Sequence, residues 1–461
     1  MVVHKGVTLQ MDIILGTPGA PDEFEHLDQL KAILKSIVQA GVETNPLVPF
    51  EKIDTAHYTR WVIMGMGEDG PKKDQKIQLM YSASVDGQEN DHLKQLIEHG
   101  REAIDKLYVH CEGYPDPSSI TDEQRFRYLK RHKISSTFYT GIVGISLGRA
   151  RKEGDLYTRI QGFLDKANAK GDLDGLNGTA VRGKIQDFVK GQADLKWALK
   201  ANPFSLKAWL QIYGKLVRLV GMLAFMVLAA LTRLLSLFLF DMSSVLDIIT
   251  LVGTIGLGLL LLYVVIVVVL VRLDELRSTD KIKPVSDEWI GRMQNRETLI
   301  VQNQWSAGQP LRPRGIRVIY QYSFLWLVTQ ISPIVFIPTV HAARWIQINK
   351  KKELAFLTNF DGTSDGYFHT FIDRLDIAKG INMVFASATG FPVAKWTRER
   401  GAITNRASYL RIIRVAQDIT DVWYCAIKHL SVENIKNNKL VRKDLFGSLS
   451  EKDTLTWLKR F

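Results

Sequence analysis

Two copies of a His-x-x-Arg-Trp pattern are the first candidates for chemistry in this sequence. His57 stands three residues before Arg60, His341 stands at the same spacing before Arg344, and a tryptophan follows each arginine. Histidine can ligate haem iron or act as an acid–base group near neutral pH, and arginine can clamp a carboxylate or a haem propionate. The alternative is structural: each histidine fixes a strand by a hydrogen bond, and each arginine packs on its tryptophan. A two-fold haem site would be unusual, so the repetition favours the structural interpretation.

Histidines that occur in only one copy are better candidates for a single catalytic site. His110 opens the segment His110 to Glu112, whereas the matched segment, Ser387 to Thr389, has neither a histidine nor a carboxylate. Such a loss of symmetry is expected if only one copy carries a catalytic site. His132, on a later predicted helix, is expected to reach the same cavity as His110. In this hypothesis His110 or His132 is the base or ligand and Arg60 is the anion clamp. The alternative is that each histidine is solvated or hydrogen-bonded within the fold.

Two short motifs of known enzyme classes lack the context that would make them functional. The GxGxxG of Gly65 to Gly70 is followed by Pro71 and another predicted strand, which favours a hairpin turn over a dinucleotide site. The GxSxG of Gly144 to Gly148 stands in α+β surroundings, which argues against the nucleophile elbow of an α/β hydrolase.

An internal duplication carries the repeated residues, because matching blocks recur in the same order in both halves of the chain. Within them, Asp86-Gly87 aligns with Asp361-Gly362, and each aspartate is expected to cap a helix while each glycine turns the chain. The matched blocks are DTAHYTRWVIM with PTVHAARWIQI, LMYSASVDG with LAFLTNFDG, HCEGYP with SATGFP, YLK with YLR, and FYTGI with WYCAI.

The first copy predicts the βαββαβ order of a ferredoxin-like fold, followed by one more helix and strand. Alternating, β-branched stretches indicate its strands, and apolar residues at helical spacing indicate its helices. The predicted elements are the strand VTLQMDIIL, the helix Phe24–Ala40, the strands Tyr58–Met64 and Ile77–Val85, the helix Asn90–Leu107, a strand at Tyr108–Glu112, and the appended helix Asp122–Lys133 and strand Thr137–Val143.

The second copy predicts the same order of elements. Its first helix is unusually apolar, and two interpretations stay open: it lies against a membrane, or it is a buried packing helix. The predicted elements are the strand Val301–Leu311, the helix Gly315–Ile331, the strands Arg344–Ile348 and Glu353–Thr358, the helix Gly366–Gly380, the strand Asn382–Ser387, the helix Ala407–Ala416 and the strand Val422–Ile427.

Two apolar stretches between the copies predict a transmembrane hairpin. Ile248 to Val271 carries no charged residue, and Leu219 to Phe240 carries only Arg233, which is expected to snorkel or pair. A helix rising about 1.5 Å per residue over either length can cross a hydrocarbon core of ~30 Å, although Leu219 to Phe240 could alternatively form an interfacial helix. The connecting loop lacks Lys and Arg while the outer flanks carry both, so the positive-inside rule predicts two spans of the inner (cytoplasmic) membrane with both soluble parts in the cytoplasm.

Composition excludes several classes of protein. Only 2 cysteines are present, which rules out a disulfide framework and a four-cysteine zinc site. Lys and Arg number 60 against 48 Asp and Glu, and the resulting net charge of +12 favours an anionic partner. Nucleic-acid motifs are absent from the sequence, so we expect no nucleic-acid partner and assign the positive charge to contact with the lipid bilayer.

The duplicated HxxRW, DG and GFP motifs resemble those of a family of membrane-anchored bacterial proteins. More distantly, two ferredoxin-like units resemble the dimeric α+β barrel superfamily, which includes dye-decolorizing peroxidases and EthD-like proteins. This resemblance implies two sheets paired around a central cavity that binds haem or a small apolar molecule. Dye-decolorizing peroxidases place the aspartate of a GxxDG motif beside haem, although both copies here replace its leading glycine. The residues implied as cofactor-binding are His57, His341, Arg344, Asp86 and Asp361.

The sequence therefore predicts an α+β protein in which two tandem ferredoxin-like units (βαββαβ plus an extra αβ) pair as a pseudo-dimeric α+β barrel, with a transmembrane helical hairpin inserted between them. The predicted domains are unit one at 1–150, a helical linker at 151–214, the hairpin at 215–273, and unit two with its linker at 274–461. The expected function is binding of an apolar or haem-like ligand, with peroxidase- or monooxygenase-like oxidation of a lipid-like substrate as its enzymatic form. The alternative is a non-enzymatic membrane scaffold or sensor that binds a protein partner or a second copy of itself.

Overall fold

A computed structural model describes residues 2–72, 75–200, 205–238, 241, 243–276, 283–297, 301–312, 315–393 and 401–461. The fold is α+β, with two four-stranded antiparallel sheets and two long apolar helices. The last two residues of the first predicted span, 239 and 240, lie outside the described residues.

The elements before the apolar helices agree with the sequence prediction except at its fourth strand. Their bounds are β1 His4–Asp12, α1 Glu25–Gln39, β2 Ala56–Met64, β3 Gln78–Asp86, α2 Glu89–Tyr108, α3 Asp122–Arg131, β4 Thr137–Thr140, α4 Leu147–Ala169 and α5 Gly178–Gly191. The GxGxxG segment forms a short antiparallel hairpin, as expected, with Met66 paired to Pro71.

The two apolar helices and one short helix come next, and the strand Gln302–Pro310 then begins a second series of elements in the same order as the first. Their bounds are α6 Leu206–Ser236, α7 Ser244–Leu276, α8 Asp287–Gln294, β5 Gln302–Pro310, α9 Gly315–Ile331, β6 Val340–Ile348, β7 Glu353–Asp361, α10 Ser364–Asp373, α11 Leu375–Val384, α12 Arg406–Ala416, β8 Thr420–Cys425, α13 Val432–Leu445 and α14 Glu451–Leu458. The single helix predicted at Gly366–Gly380 is two helices, because Arg374 between them has an extended ψ of 102°.

The predicted fourth strand of each copy is wrong. Tyr108 ends α2, and the pairing with the sheet is limited to one isolated antiparallel bridge between Cys111 and Ile13. In the second copy the predicted strand Asn382–Ser387 overlaps the end of α11, and the equivalent bridge joins Ala388 to Leu311. The tight turns at these positions leave no length of chain that could extend the bridge into a ladder.

The last strand of each copy belongs to the sheet of the other copy. The first sheet has the order β1-β3-β2-β8 and the second has the order β4-β6-β7-β5. Phe138 of β4 therefore pairs with Arg344 of β6, and Trp423 of β8 pairs with Arg60 of β2. This reciprocal exchange ties the two sheets together, and the sequence alone did not predict it.

Each sheet packs one face on its own helices and the other face on the opposite sheet. Strand side chains alternate between the two faces, so Trp61 and Tyr81 point into the helix-covered core of the first sheet, with Phe50 against Trp61. The neighbouring positions point between the sheets, where Val62 and Met80 pack against side chains of the second sheet such as Ile346. Because both faces are covered, the central strands are buried along almost their whole length.

Helices α6 and α7 form an antiparallel pair that is long and apolar enough to cross a membrane. They approach closely where Gly253 faces Ala229, since a Cβ at Gly253 would lie 2.5 Å from the Ala229 side chain. Arg233 pairs with Asp247 across the turn at 2.9 Å, in agreement with the expected pairing. The outer faces of both helices are exposed, with Leu228 and Leu259 as examples.

Helix α9 continues this apolar surface from the second half of the chain. At its start, Arg317 donates to Asp274 near the end of α7 at 2.7 Å. Further along, Ser323 bonds to the hydroxyl of Tyr263 at 2.5 Å. The two helices therefore run alongside each other, and α9 lies at the level of the apolar pair.

A separate small core joins the helical linker to the end of the chain. Leu156 of α4 and Ile185 of α5 pack with Val441 of α13 and Trp457 of α14. Glu451 of α14 also accepts a hydrogen bond from the Gly178 backbone at the start of α5, at 2.7 Å.

Candidate functional site

The repeated histidine and aspartate form one hydrogen-bonded brace in each half. Nε2 of His57 lies 2.8 Å from Oδ1 of Asp86, whose other oxygen accepts from the backbone of Leu147 at the start of α4. In the second half, His341 lies 2.6 Å from Asp361 Oδ1, and the other oxygen of Asp361 accepts from the backbone of Val432 at the start of α13. Each aspartate thus caps a helix, as expected, but a distant helix rather than the one that follows it. The electrostatics suit this arrangement, because an anion is stabilised at a helix N-terminus.

His4 makes the first brace different from the second. Its Nδ1 lies 3.4 Å from Asp86 Oδ1, and one potential ligand atom from each of His4, His57 and Asp86 lies within 4.8 Å of the others. This donor set is of a type that binds transition metals. The second brace keeps the histidine–aspartate pair with Gln302 at the matched strand position, so the pair itself does not depend on a metal.

The pKa values around the first brace follow from burial and hydrogen bonding. Burial alone would raise the pKa of the Asp86 carboxyl, but the hydrogen bond and charge of His57 outweigh it and hold that pKa below its ordinary value. Burial, together with the nearby His57, lowers the pKa of His4 to about 4. His4 is therefore neutral at pH 7, which leaves its ring available as a neutral hydrogen-bonding group.

Arg60 and Arg344 lie between the two sheets, where each binds main-chain oxygens of the opposite sheet. Arg60 donates to the carbonyls of Trp305 at 2.7 Å and Thr358 at 2.9 Å. Arg344 donates to the carbonyl of Val7 at 2.8 Å, and also to that of Ala83. Both guanidinium groups are fully buried, and burial lowers the pKa of each to about 9. They remain charged at pH 7, and carbonyl dipoles replace the water that each group loses.

The space between the sheets, where the resemblance placed a central cavity, is filled. Between the two arginines there is a void of only about 10 Å³, lined by side chains of both sheets such as Ser82 and Asn359. Apolar side chains close the remainder of this interface. A haem or a comparable ligand therefore has no room there.

A cavity of about 380 Å³ lies instead on the other face of the second sheet, between the sheet and helices α9 to α12. We call it the apolar cavity. Its floor includes Trp305 and Ala343, and its walls include Phe324, Ile381 and Ile412. Its volume falls in the range of ~300–1,000 Å³ that is typical of small-molecule sites. The equivalent region of the first half is filled by the side chains of its core.

Helix α9 is apolar on both sides where it forms a wall of this cavity. Val328 and Ile331 line the inside, while Tyr322 and Trp326 are exposed on the outside. The segment that follows α9 adds Phe336, which lines the cavity and is itself 50% exposed. A helix that is apolar all round is usually buried or in contact with lipid.

The two unmatched histidines lie away from this cavity, at the edge of the first sheet. The His110 carbonyl accepts from Ile14, and the His110 ring lies 3.1 Å from His26. Burial, and then the nearby His26, lower the pKa of His110. The His132 ring bonds to the Tyr128 carbonyl at 2.8 Å. Each histidine thus has its own partner, and neither lines the apolar cavity.

The residues around the apolar cavity do not fit haem. Histidine, cysteine and methionine are absent from its described lining, and its candidate iron ligands are three tyrosines. Burial raises the pKa of Tyr139 to about 12 and raises those of Tyr367 and Tyr409 further, so all three keep their protons at neutral pH. The Tyr139 hydroxyl also accepts from the Ile337 backbone at 2.9 Å. The side chains that remain can exclude water and hold an apolar molecule.

Comparisons with family models, with curated proteins and with solved structures find no match to this chain.

Sequence reasoning missed the apolar cavity because its lining residues are ordinary core types. One signal was available: Gly315–Ile331 has almost no polar side, whereas the matched helix of the first half is amphipathic. A helix in the same place with a different pattern indicates a different environment.

Proposed function

We propose that this chain is a membrane-anchored binding protein whose apolar cavity holds an acyl chain or a similar apolar molecule taken up from the bilayer. The observation that carries the proposal is the position of the cavity, behind a helix that contacts α7 at Arg317 and Ser323 and exposes apolar side chains. Uptake across this wall would keep the ligand out of water throughout.

The anchor in this proposal is the pair α6 and α7, with both sheets on one side of the membrane. The absence of Lys and Arg from the connecting loop favours placing that loop outside and the sheets in the cytoplasm. Labelling a cysteine at Ser243 in right-side-out vesicles, with a cysteine at Gly162 as the inside control, tests this orientation. Labelling of both sites from one side contradicts it.

The proposal includes an origin for the fold: two ferredoxin-like units whose fourth strands are reduced to single bridges and whose last strands are exchanged. The matched bridges Ile13–Cys111 and Leu311–Ala388 support it, as do Leu9–Lys133 and Ala307–Gln417. In this interpretation the core of the second unit contains a ligand cavity, whereas the core of the first unit is closely packed.

A cavity-filling substitution tests the binding function directly. Gly380 lines the apolar cavity, and a Cβ there would meet no atom within 4 Å, so Gly380→Leu fills space without a clash near the backbone. Gly162 on α4 is equally open and lies outside the lining, so Gly162→Leu is the matched control. We expect purified wild type and Gly162→Leu to carry an apolar molecule detectable by extraction and mass spectrometry, and Gly380→Leu to lose it.

Two results would count against this function. Wild-type protein with no extractable apolar molecule, and with no uptake of a long-chain alcohol after delipidation, has no ligand in the proposed sense. A Soret band in the purified protein would indicate bound haem, and the first half of the chain would then have to be considered as the haem site.

A further inference from the structure

A second cavity adjoins the apolar one and differs from it in charge. It has a volume of about 900 Å³, and among the described residues that line it six are basic and two are acidic. We call it the basic cavity. Its basic residues are Lys72, Lys283, Arg312, Lys350, Lys351 and Lys352, and its acidic residues are Glu68 and Asp69.

Several of these charges already have partners. Lys72 pairs with the buried Asp418 at 3.0 Å, and Lys283 pairs with Asp69 at 3.3 Å. Arg312 donates to main-chain carbonyls of the neighbouring turn. Lys350, Lys351 and Lys352 are exposed and add three positive charges to this wall of the cavity.

This lysine turn is held in a conformation that lysine rarely adopts. Asn349, Lys350 and Lys351 have φ values of 51°, 55° and 66°, in the left-handed region that favours glycine. The matched hairpin of the first half uses Gly65 and Gly70 at positive φ. Lysine at a positive φ is unfavourable for the backbone, and a function of the charge would be a physical reason to keep it.

The two cavities meet at Gln309. This side chain lines both of them, and its amide donates to the Thr389 carbonyl at 2.6 Å. On either side of it, Ala416 lines the apolar cavity while its neighbour Val415 lines the basic one. Gln309 is therefore part of the wall that the two cavities share.

Helix α9 lines both cavities, one near its start and the other near its end. Gly315 and Val318 in its first turn line the basic cavity, whereas Val328 and Ile331 near its end line the apolar one. The whole helix is about 24 Å long at ~1.5 Å per residue, a span comparable to one half of a bilayer. Lys351 also lies over the exposed ring of Tyr322 at 4.8 Å, so the lysine turn reaches the membrane-facing side of α9.

We propose that the two cavities form one site for a single anionic amphiphile, a phospholipid with its acyl chain in the apolar cavity and its phosphate headgroup at Lys350 to Lys352. The inference rests on the proposed binding function and adds the class of ligand. Three adjacent ammonium groups supply charge complementarity to the phosphate.

The test uses the full chain, delipidated in detergent, and compares phosphatidylglycerol with phosphatidylcholine of the same acyl chains by native mass spectrometry. Wild type is expected to prefer phosphatidylglycerol by about tenfold or more, because each lysine near the surface attracts an anionic headgroup. The variant K350Q/K351Q/K352Q is expected to lose this preference and still bind a neutral long-chain alcohol. The exposed lysines of K94Q/K106Q/K130Q, on α2 and α3, provide the matched control.

A second variant separates charge from backbone structure. K350G/K351G places glycine, which adopts a positive φ readily, at two of these left-handed positions, so its thermal midpoint is expected to rise while the preference for phosphatidylglycerol falls. If the lysines served only the fold, this variant would keep the preference.

The remaining outcomes distinguish this inference from the one it rests on. An unchanged preference in the triple glutamine variant, with alcohol binding abolished by Gly380→Leu, overturns the headgroup site and leaves the apolar site standing. Absence of binding for both lipids and the alcohol in wild type overturns both. Lysine-dependent binding of inorganic phosphate alone, with no difference between the two lipids, identifies free phosphate as the occupant and also overturns the amphiphile.

Discussion

Arg60 and Arg344 cross the interface between the two sheets in opposite directions and end on equivalent atoms. Arg60 reaches the Trp305 and Thr358 carbonyls, and Arg344 reaches those of Val7 and Ala83, which occupy the matched positions of the other half. Each arginine also contacts a polar side chain one residue further along the same strand. The sheets are therefore fixed in register by two symmetric sets of buried, charge-assisted hydrogen bonds.

Removal of either arginine is expected to weaken the fold by a similar amount. Arg60→Met and Arg344→Met each take away a buried charge but leave several carbonyl and side-chain oxygens without donors, so we expect a net loss of about 2–4 kcal/mol in the free energy of unfolding. Denaturant unfolding of the detergent-solubilised protein measures this loss. Arg127, which is exposed on α3, gives the control Arg127→Met. A loss confined to one of the two arginines would contradict their equivalence.

The exchange of β4 and β8 between the sheets predicts a specific crosslink. Thr140 of β4 lies directly opposite Ala342 of β6, and paired antiparallel residues have Cα atoms about 4.5–5.5 Å apart, within the range of a disulfide. The double variant T140C/A342C should therefore crosslink under mild oxidation, whereas T140C alone should not. The native Cys425 provides the reciprocal test, because its register partner is Tyr58 and the variant Y58C should pair with it. Failure of both crosslinks in folded protein would contradict the exchange.

The sequence predicted most elements of this fold because the responsible signals are local. The helical spacing of Leu27, Leu30 and Leu34 is sufficient to predict α1. The matched sequence blocks are sufficient to predict that the order of elements repeats. The fourth strands were wrong because Cys111 and Ala388 each make one bridge, which is too short to leave a periodic pattern. The strand exchange was missed because β4 has the same pattern whichever sheet it joins.

The candidate site was predicted less well, for a related reason. Histidine and arginine attract attention by their chemistry, and the structure places Arg60, Arg344, His57 and His341 in contacts that hold sheets and helices together. A cavity, in contrast, is an absence of atoms among ordinary apolar residues, so no residue type marks it. Only a comparison of α1 with α9, which occupy equivalent places in the element order, could have drawn attention to it.

The two histidine–aspartate braces are expected to stabilise the helices whose first turns they cap. Asp86→Ala leaves His57 buried without its partner and removes the acceptor for the Leu147 backbone, so we expect a loss of about 2–4 kcal/mol and faster hydrogen exchange in the first turn of α4. Asp361→Ala should have the same effect on α13. Hydrogen-exchange mass spectrometry reads both effects, with the exposed Asp54→Ala as the control. Unchanged exchange at the two helix starts would show that the caps are not needed.

His92 makes the stability of the first half dependent on pH. Its ring is fully buried on α2, where it bonds to the Tyr81 hydroxyl at 2.8 Å and to Thr55 at 2.9 Å. Burial, and then the charge of Arg344, lower the pKa of His92 from 6.5 to about 3. Between these two values the unfolded chain binds a proton that the folded chain excludes, so the contribution of His92 to stability is complete above pH 6.5 and is lost as the pH falls toward 3.

From pH 7.5 to pH 5 this single group should therefore cost about 2 kcal/mol of the free energy of unfolding. Denaturant titrations at several pH values measure how the free energy of unfolding changes with pH. His92→Gln should make the decrease between pH 7.5 and pH 5 smaller by about 2 kcal/mol while keeping a polar side chain beside Tyr81. His99, which is half-buried on the same helix, provides the control His99→Gln. If wild type and His92→Gln lose stability in parallel between pH 7.5 and pH 5, then His92 is charged in the folded protein and its buried environment is more polar than the contacts with Tyr81 and Thr55 indicate.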